Sequence, residues 1–277
     1  MNIHKILTDL EKSDPEVYER LDSRRGAMKS FASLGSKIAL AAVPLALGSM
    51  FKKAYGQSNT EVVAVLNFAL ALEYLEAEFY DKALLVGVTL IPGGVATSAI
   101  TTIRNHERAH VSFLKSTITS LNGVPDAEPA FDFTAGGAFA DVFVNYQTFL
   151  AVAQTFEDTG VRAYKGQAGA LINSNDVLTA ALQIHSVEAR HASHIRQMRK
   201  VLNTSQVIKP WITLDQNGGI GPAVQASYNG ESLTKQLTIE TVGINGNSQI
   251  TSTQASESFD EPLTKAQVLA IVGPFIV

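Results

Sequence analysis

The sequence predicts an all-α fold: a four-helix bundle of two antiparallel hairpins with a long crossover, followed by a mostly irregular C-terminal extension. Apolar residues recur at helical spacing in four segments between residues 60 and 202, and no strand-like alternation interrupts them. Two of the connections between these segments are short and one is long, which is the pattern of two hairpins joined by a crossover.

The first hairpin is predicted from two segments, residues 60–86 and 98–121. Ser58, Asn59 and Thr60 offer caps for the first helix. Ile91-Pro92-Gly93-Gly94 predicts the turn, and Asn122-Gly123 after the second segment is a typical stop signal. We therefore expect these two helices to pack side by side.

The second hairpin is predicted from residues 141–170 and 175–202, with Asn175 as the cap of its second helix. A connection this short makes the two helices antiparallel neighbours. Between the hairpins lie residues 122–140, which are long enough to run the length of the bundle.

The chain is predicted to have three parts. Residues 1–57 read as an export signal, 58–203 as the bundle, and 204–277 as the C-terminal extension. In the extension, Tyr228-Asn229-Gly230-Glu231 fits a hairpin turn with short strands on either side. Residues 262–272 predict a short final helix.

The N-terminal part contains Ser23-Arg24-Arg25-Gly26-Ala27-Met28-Lys29, which resembles the twin-arginine export motif. Ala27 departs from it, since a larger apolar residue is expected there. An apolar stretch from Ile38 to Phe51 and a small-x-small site, Ala54-Tyr55-Gly56, follow. We expect an exported protein, periplasmic or extracellular. A retained N-terminal anchor, which would bring membrane contact, and a surface arginine pair before a buried helix remain alternatives.

Composition excludes several classes of function. The chain has 277 residues, a formal net charge of -4 and no cysteine. The negative charge argues against nucleic acid as the partner. Without cysteine there is no thiol catalysis, iron–sulfur cluster or cysteine-bound zinc. Any metal must be held by His, Asp and Glu.

Two Glu-x-x-His motifs fall at the middle of predicted helices, Glu107-Arg108-Ala109-His110 and Glu188-Ala189-Arg190-His191. Residues three apart lie on one helix face, so each pair can reach one point. The other two helices carry Glu73 and Glu157 inside apolar runs, where an unpaired carboxylate is costly. Pseudo-twofold packing of the hairpins would bring four Glu and two His together in the core.

Tyrosine follows each of the isolated glutamates by seven residues, at Tyr80 and Tyr164. These tyrosines either hydrogen-bond the carboxylates or donate electrons, or else they are simple core residues. The chain thus repeats one unit, a glutamate with tyrosine two turns later and then Glu-x-x-His on the next helix.

The charges indicate what this cluster is for. Four buried carboxylates carry a charge that two divalent cations would neutralise. Carboxylate and imidazole ligands without thiolate suit iron or manganese, and two bridged ions can reduce dioxygen or peroxide. The alternative is a set of surface salt bridges, whose arginine partners would be Arg104, Arg108, Arg190 and Arg196.

The pattern resembles the ferritin-like di-iron carboxylate superfamily. The segment from Leu66 to Tyr80 is similar to the secreted ferritin-like family that includes plant desiccation-related proteins. Lys209-Pro210-Trp211-Ile212 and the segment from Ser258 to Thr264 extend that similarity. The resemblance implies two Fe ions, with Mn as an alternative. It also implies terminal ligands Glu73 and Glu157, bridging ligands Glu107 and Glu188, and one histidine per metal, His110 and His191.

Some neighbouring residues compete with this set or lie close to it. Glu76 and Glu78 are alternative candidates for the ligand position assigned to Glu73. The tyrosine seven residues after Glu73 matches the one after Glu157, and this favours Glu73. His106 is expected to face away from the site. His185 and His194 are expected beside the site or on the surface, and Gln154 and Asp158 are candidate hydrogen-bond partners of the ligands.

The expected function is oxidation of Fe(II), or reduction of dioxygen or peroxide, at a di-iron site in stress protection. Two alternatives stay open: manganese catalase-like dismutation of peroxide, and a non-catalytic metal-binding or structural stress protein. Fold alone does not decide between them. A homo-oligomer is compatible with the sequence, but the long tail in place of a short fifth helix argues against a ferritin-type shell.

Overall fold

The protein is described by a computed structural model that covers residues 59–277. The predicted export signal and its two alternatives lie outside these residues. Among residues 59–277, none of the helices combines the length and the apolar character that crossing a bilayer requires.

The all-α prediction is confirmed. Four long helices form the bundle: α1 (Asn59–Val86), α2 (Val95–Ser120), α3 (Tyr146–Ala168) and α4 (Asn175–Leu202). α1 packs on α2 and α3 packs on α4, as two hairpins. Their apolar faces meet in one continuous core.

Two helix starts differ from the prediction by three residues or more, and the cap of α4 differs by one residue. α2 begins earlier, because Gly94 turns the chain with φ 76°, a conformation that favours glycine. α3 begins later, because the side chain of Asn145 caps it by accepting from the N–H groups of Gln147 and Thr148. Ser174 stands at the N-cap of α4, so the prediction of Asn175 as the cap is wrong.

The crossover runs along the bundle as predicted. Tyr80 of α1 contacts Glu157 of α3, and Tyr164 of α3 contacts Glu73 of α1, so these two helices are antiparallel. α2 is antiparallel to α1 because a short turn joins them. α2 and α3 are therefore parallel, and the chain between them must travel the length of the bundle.

The C-terminal extension is mostly irregular and contains two short strands and two short α-helices, besides three 3-10 helices. The strands and α-helices are β1 (Lys235–Gln236), β2 (Ile239–Glu240), α5 (Ser252–Ser256) and α6 (Lys265–Val272). β1 and β2 pair antiparallel. The predicted hairpin around residues 228–231 is wrong, because the segment before it is a 3-10 helix and the strands lie further along the chain.

The segment around residues 227–231 instead surrounds Arg162, a buried arginine of α3. The guanidinium donates to the carbonyls of Ser227 and Asn229 at 2.5 and 3.0 Å. Its Nε lies 2.7 Å from Oε1 of Glu231. Glu231 also accepts from the N–H of Glu261 at 2.7 Å. The extension is therefore fastened to the bundle by a buried, hydrogen-bonded ion pair.

A second buried pair fastens the extension further along the bundle. Arg196 of α4 donates to both oxygens of Asp158 of α3, at 3.0 and 2.6 Å. The hydroxyl of Tyr228 donates to the same carboxylate at 2.9 Å and accepts from Gln154 at 3.0 Å. Buried polar residues of α3 and α4 therefore hold the extension in place.

Candidate metal centre

Six side chains converge inside the bundle, and they are the six that the sequence predicts as metal ligands. The four carboxylate residues have no exposed surface, and the two histidines are 9% and 5% exposed. Each helix contributes from its middle, where neighbouring turns bury its apolar face. The structure brings together Glu73, Glu107, His110, Glu157, Glu188 and His191.

The six residues form two groups that share Glu107 and Glu188. The first group adds Glu73 and His110, and the second adds Glu157 and His191. Within each group one candidate ligand atom per residue lies within 4.8 Å of all the others. This arrangement can hold a metal ion in each group, with two carboxylates between the ions.

The first group is centred on Nδ1 of His110. This atom lies 3.0 Å from Oε2 of Glu73, 3.0 Å from Oε2 of Glu107 and 3.1 Å from Oε1 of Glu188. Three carboxylates from three helices therefore meet one imidazole nitrogen.

The second group repeats this arrangement around Nδ1 of His191. Oε1 of Glu107 lies 2.7 Å away, and Oε2 of Glu157 and Oε2 of Glu188 each lie 3.3 Å away. Both rings thus direct the same nitrogen at the carboxylates.

Each tyrosine supports the carboxylate of the other hairpin. The hydroxyl of Tyr80 donates to Oε1 of Glu157, and that of Tyr164 donates to Oε1 of Glu73. Burial raises the pKa of both phenols well above the ordinary value, so they remain protonated donors. Of the alternatives that the sequence leaves open for these tyrosines, hydrogen bonding to the carboxylates is the one present, and the bonds cross between helices.

Burial makes two of the carboxylates hold protons when no cation is bound. Desolvation, with the charge of Glu188 nearby, raises the pKa of Glu107 to about 8. Desolvation likewise raises the pKa of Glu157 to about 7, although His191 opposes the shift. The cluster is therefore short of positive charge.

The histidines supply part of that charge in the metal-free protein. Burial opposes protonation of both rings, but the surrounding carboxylates outweigh it and raise the pKa of His110 and His191. For Glu188 desolvation acts upward, yet hydrogen bonds from the two histidines lower its pKa to about 2. In the metal-free protein, protonated imidazoles therefore neutralise part of the carboxylate charge that metal cations would neutralise in the loaded protein.

The residues fit a pair of metal ions better than they fit one another. Oε1 of Glu107, Oε2 of Glu157 and Oε1 of Glu188 are buried and accept no well-formed hydrogen bond from the described residues. Each of the three has a histidine Nδ1 nearby, but the alignment is poor. Buried carboxylate oxygens without well-aligned donors are costly, and bound cations would satisfy all three. Together with the two inward-facing imidazole nitrogens, they form a donor set suited to iron or manganese.

His106 lies beside the centre, contrary to the expectation that it faces away. Its Nδ1 is 2.9 Å from Nε2 of His191, and the two rings stack with an interplanar angle of 12°. If Nδ1 of His191 binds a metal, its proton is on Nε2, which then donates to His106. A signal for this role existed in the sequence, because His106 and His110 are four residues apart on one helix face.

The two groups differ at this point. The repeat relates Glu107 to Glu188, so the counterpart of His106 on α4 is Val187. A valine side chain cannot accept a hydrogen bond from His110. The outer nitrogen of His191 therefore has an imidazole partner that the repeat does not supply to His110.

Glu76 is a further buried carboxylate close to the centre. It is 3% exposed, and desolvation together with the charges of the four site glutamates raises its pKa well above the ordinary value. A Cβ at Gly160 would lie 3.3 Å from Oε1 of Glu76 and 3.6 Å from Cγ of Glu188, so Gly160 leaves room for this side chain. Glu76 belongs to neither of the two groups.

Other sequence candidates lie elsewhere. Glu78 pairs with Lys82 near the surface, His185 faces the carbonyl of Val161 at 3.0 Å, and His194 is exposed. The expectation that Gln154 and Asp158 support the ligands is wrong, since both side chains contact Tyr228 and arginines that hold the extension.

The salt-bridge alternative does not describe the cluster. Arg104 and Arg108 pair with Asp81 near the surface, and Arg196 pairs with Asp158. None of these three pairs includes a site glutamate. The buried carboxylates are instead contacted by the two histidines and the two tyrosines.

Comparison with known proteins agrees with this architecture. A family model described as a ferritin-like domain matches residues 61–201, just over half of the chain. The matched range contains all four bundle helices up to the last turn of α4 and all six converging side chains. No curated protein matches the chain.

Proposed function

The chain belongs to the ferritin-like domain family, and from that premise we propose that it is a di-metal oxidoreductase that oxidises Fe(II) or reduces dioxygen or peroxide. One observation carries the proposal: two ligand groups share Glu107 and Glu188 and contain three buried carboxylate oxygens that accept no well-formed hydrogen bond within the described part of the chain. Ions bridged by these two residues would sit close enough to act together.

The proposed ligands divide by hairpin. Glu73 and His110 would hold one ion, Glu157 and His191 would hold the other, and both groups include Glu107 and Glu188, which would serve as shared ligands. Two bound Fe(II) ions would supply the two electrons that, with two protons, reduce dioxygen to hydrogen peroxide or hydrogen peroxide to two waters.

The protein's own residues prepare the site for this reaction. Tyr80 and Tyr164 hold the terminal carboxylates in place through their hydroxyl groups. The apolar helix faces exclude bulk water, so the carboxylates act in a medium of low dielectric constant. His106 orients the ring of His191, as partners of metal-bound histidines commonly do.

Export and a role in stress protection are further parts of the proposal. They rest on the twin-arginine-like motif at Ser23-Arg24-Arg25 and on the similarity to desiccation-related proteins. Replacing Arg24 and Arg25 by lysine should retain the protein in the cytoplasm. Cell fractionation measures this, and unchanged export of the double variant would contradict it.

Metal uptake by variants tests the site. Glu107→Ala and Glu188→Ala should each abolish binding of the metal pair, because each removes a shared ligand. Glu78→Ala, which removes a carboxylate of α1 outside both groups, is the matched control. Unchanged metal content in both site variants would show that the assignment is wrong.

Steady-state assays distinguish the proposed reaction from its alternatives. We expect continuing consumption of peroxide or dioxygen that depends on Fe(II). Oxygen evolution from peroxide by manganese-loaded protein would favour the catalase-like reaction. Oxidation that stops after the bound ions have reacted once would favour a metal-binding scaffold.

A further inference from the structure

An apolar cavity lies inside the bundle, toward the end where α1 and α4 begin. All four helices line it, with residues close to the metal ligands. Leu72 precedes Glu73, Leu114 lies one turn after His110, and Ile184 lies one turn before Glu188. Tyr164, whose hydroxyl donates to Glu73, forms part of its wall. The cavity therefore reaches to within about one helical turn of the candidate metal centre.

The cavity suits a small apolar molecule. The volume open to the centre of a water-sized molecule is about 20 Å³. Among the polar groups of its wall, the hydroxyl of Thr117 donates to the carbonyl of Phe113 at 2.9 Å, and that of Tyr164 is bonded to Glu73. An ordered water needs two to four polar partners. Both hydroxyls of this wall donate elsewhere, and the amide of Gln167 is its one other polar side chain.

The other end of the bundle is filled at the equivalent positions. The repeat relates α1 to α3 by 84 residues (157 minus 73) and α2 to α4 by 81 residues (188 minus 107). Several small or aliphatic residues of the cavity wall thereby correspond to larger, buried residues at the other end. The pairs are Leu72 with Phe156, Ala163 with Phe79, and Ala181 with Ile100.

Aromatic contacts show how tightly that other end is packed. The ring centroid of Phe79 lies 5.0 Å from that of Phe149 and 5.1 Å from that of Phe156. Phe133 of the crossover adds a third neighbour at 5.3 Å. The repeat thus has aromatic side chains where the cavity has open space.

We propose that this cavity binds dioxygen and holds it beside Tyr164 before it reaches the metal centre. The proposal rests on the proposed function and names dioxygen as the oxidant that arrives by this path. Dioxygen is small and apolar, so it loses little on leaving water and gains contacts in an unfilled apolar space. Hydrogen peroxide must keep its hydrogen bonds, which the cavity wall does not supply.

Xenon binding tests the cavity without any metal or turnover. Crystals of the full chain pressurised with xenon should show one atom among Leu72, Leu114 and Ile184. The variant Ala181→Ile should lose this site, because it introduces the residue that fills the equivalent position at the other end. Ala64→Ile places the same side chain on the exposed face of α1 and should keep the site.

Kinetics test dioxygen as the ligand. Stopped-flow oxidation of Fe(II) bound to Ala181→Ile should be slower than in the wild type with dioxygen and equally fast with peroxide. Ala64→Ile should match the wild type with both oxidants. Circular dichroism and metal content of the two variants establish that they fold and load alike.

Three results would overturn the proposal. They are absence of xenon from the wild-type cavity, an equal loss of rate with both oxidants in Ala181→Ile, and an unchanged dioxygen rate in a variant that has lost xenon. A wild-type protein that takes up xenon but no metal would instead defeat the proposed function, and dioxygen as the cavity's ligand with it. A protein that loads two ions and oxidises Fe(II) without a xenon site would defeat the cavity proposal alone.

Discussion

Replacing Gly166 by alanine should push the C-terminal extension away from α3 at Leu263 and destabilise the protein. A Cβ at this position would lie 1.9 Å from the carbonyl oxygen of Leu263, whereas ordinary contact begins at 3.4 Å. The backbone at Leu263 must therefore move by about 1.5 Å (3.4 minus 1.9), and a backbone atom cannot rotate away as a flexible side chain does. The same movement strains the hydrogen bond from the N–H of Leu263 to the carbonyl of Arg162, now 3.1 Å.

The cost follows from three contributions. Overpacking costs about 1–3 kcal/mol, and the weakened hydrogen bond about 1 kcal/mol. Replacing a helical glycine by alanine returns about 1 kcal/mol. The free energy of unfolding should therefore fall by about 1–3 kcal/mol, which lowers Tm by about 2–4 °C per kcal/mol in a domain of this size.

Gly169→Ala is the matched control, three residues further along the chain. Its φ of -61° suits any residue, and a Cβ there meets no atom of the described residues within 4 Å. Thermal and urea denaturation of both variants and the wild type provide the assay. If Gly166→Ala is as stable as Gly169→Ala, the described docking of the extension on α3 is wrong.

Three more predictions concern the centre and its surroundings. His106→Ala should weaken binding of one of the two metal ions by about 10–100-fold, while Val187→Ala should not; cobalt titration measures this, and equal affinities would refute the role of the imidazole. The metal-free protein should lose stability as the pH rises from 5 to 8. The raised pKa values of Glu107 (about 8) and Glu157 (about 7) mean that the folded state binds protons more tightly than the unfolded state, and this advantage is lost when the protons leave. Melting curves with chelator should show this loss and curves with bound metal should not; the same trend in both would contradict it. Asp158→Ala should cost about 3–5 kcal/mol, because it leaves a buried guanidinium without its counter-charge, and a loss below about 1 kcal/mol in urea denaturation would count against that.

The long helices and the ligand set were predictable because they depend on local periodicity. Glu-x-x-His places two ligands on one helix face whatever surrounds the helix. Glu73 and Glu157 were recognisable since a carboxylate within an apolar run needs a partner. The pairing of each tyrosine with the opposite hairpin required the antiparallel register of α1 and α3, which spacing along one helix does not contain.

The extension was not predictable because distant residues organise it. Arg162 donates to the carbonyl of Glu261, 99 positions away, and to that of Ser227, 65 positions away. Turn signals such as Asn229-Gly230 describe local preference, and here the buried guanidinium determines the path of the chain instead. The spacing of His106 from His110 indicates that both lie on one face of α2, but the partner of His106 lies on α4, and spacing along α2 does not reveal that contact.

The broken symmetry of the repeat has the same origin. Each hairpin carries the same ligand pattern, yet the packing around it differs. Val187 lies at the position equivalent to His106, and Ala181 lies at the position equivalent to Ile100. The two metal positions and the two ends of the bundle are therefore chemically distinct, although the ligand pattern alone makes them appear equivalent.

Metal content tests the central claim most directly. Elemental analysis of the full chain, purified without added metal or chelator and again after anaerobic addition of Fe(II), counts the ions per chain. Two overlapping ligand groups predict two ions per chain in the loaded protein, and none in Glu107→Ala or Glu188→Ala. A wild-type protein that binds no metal under either condition would contradict the account.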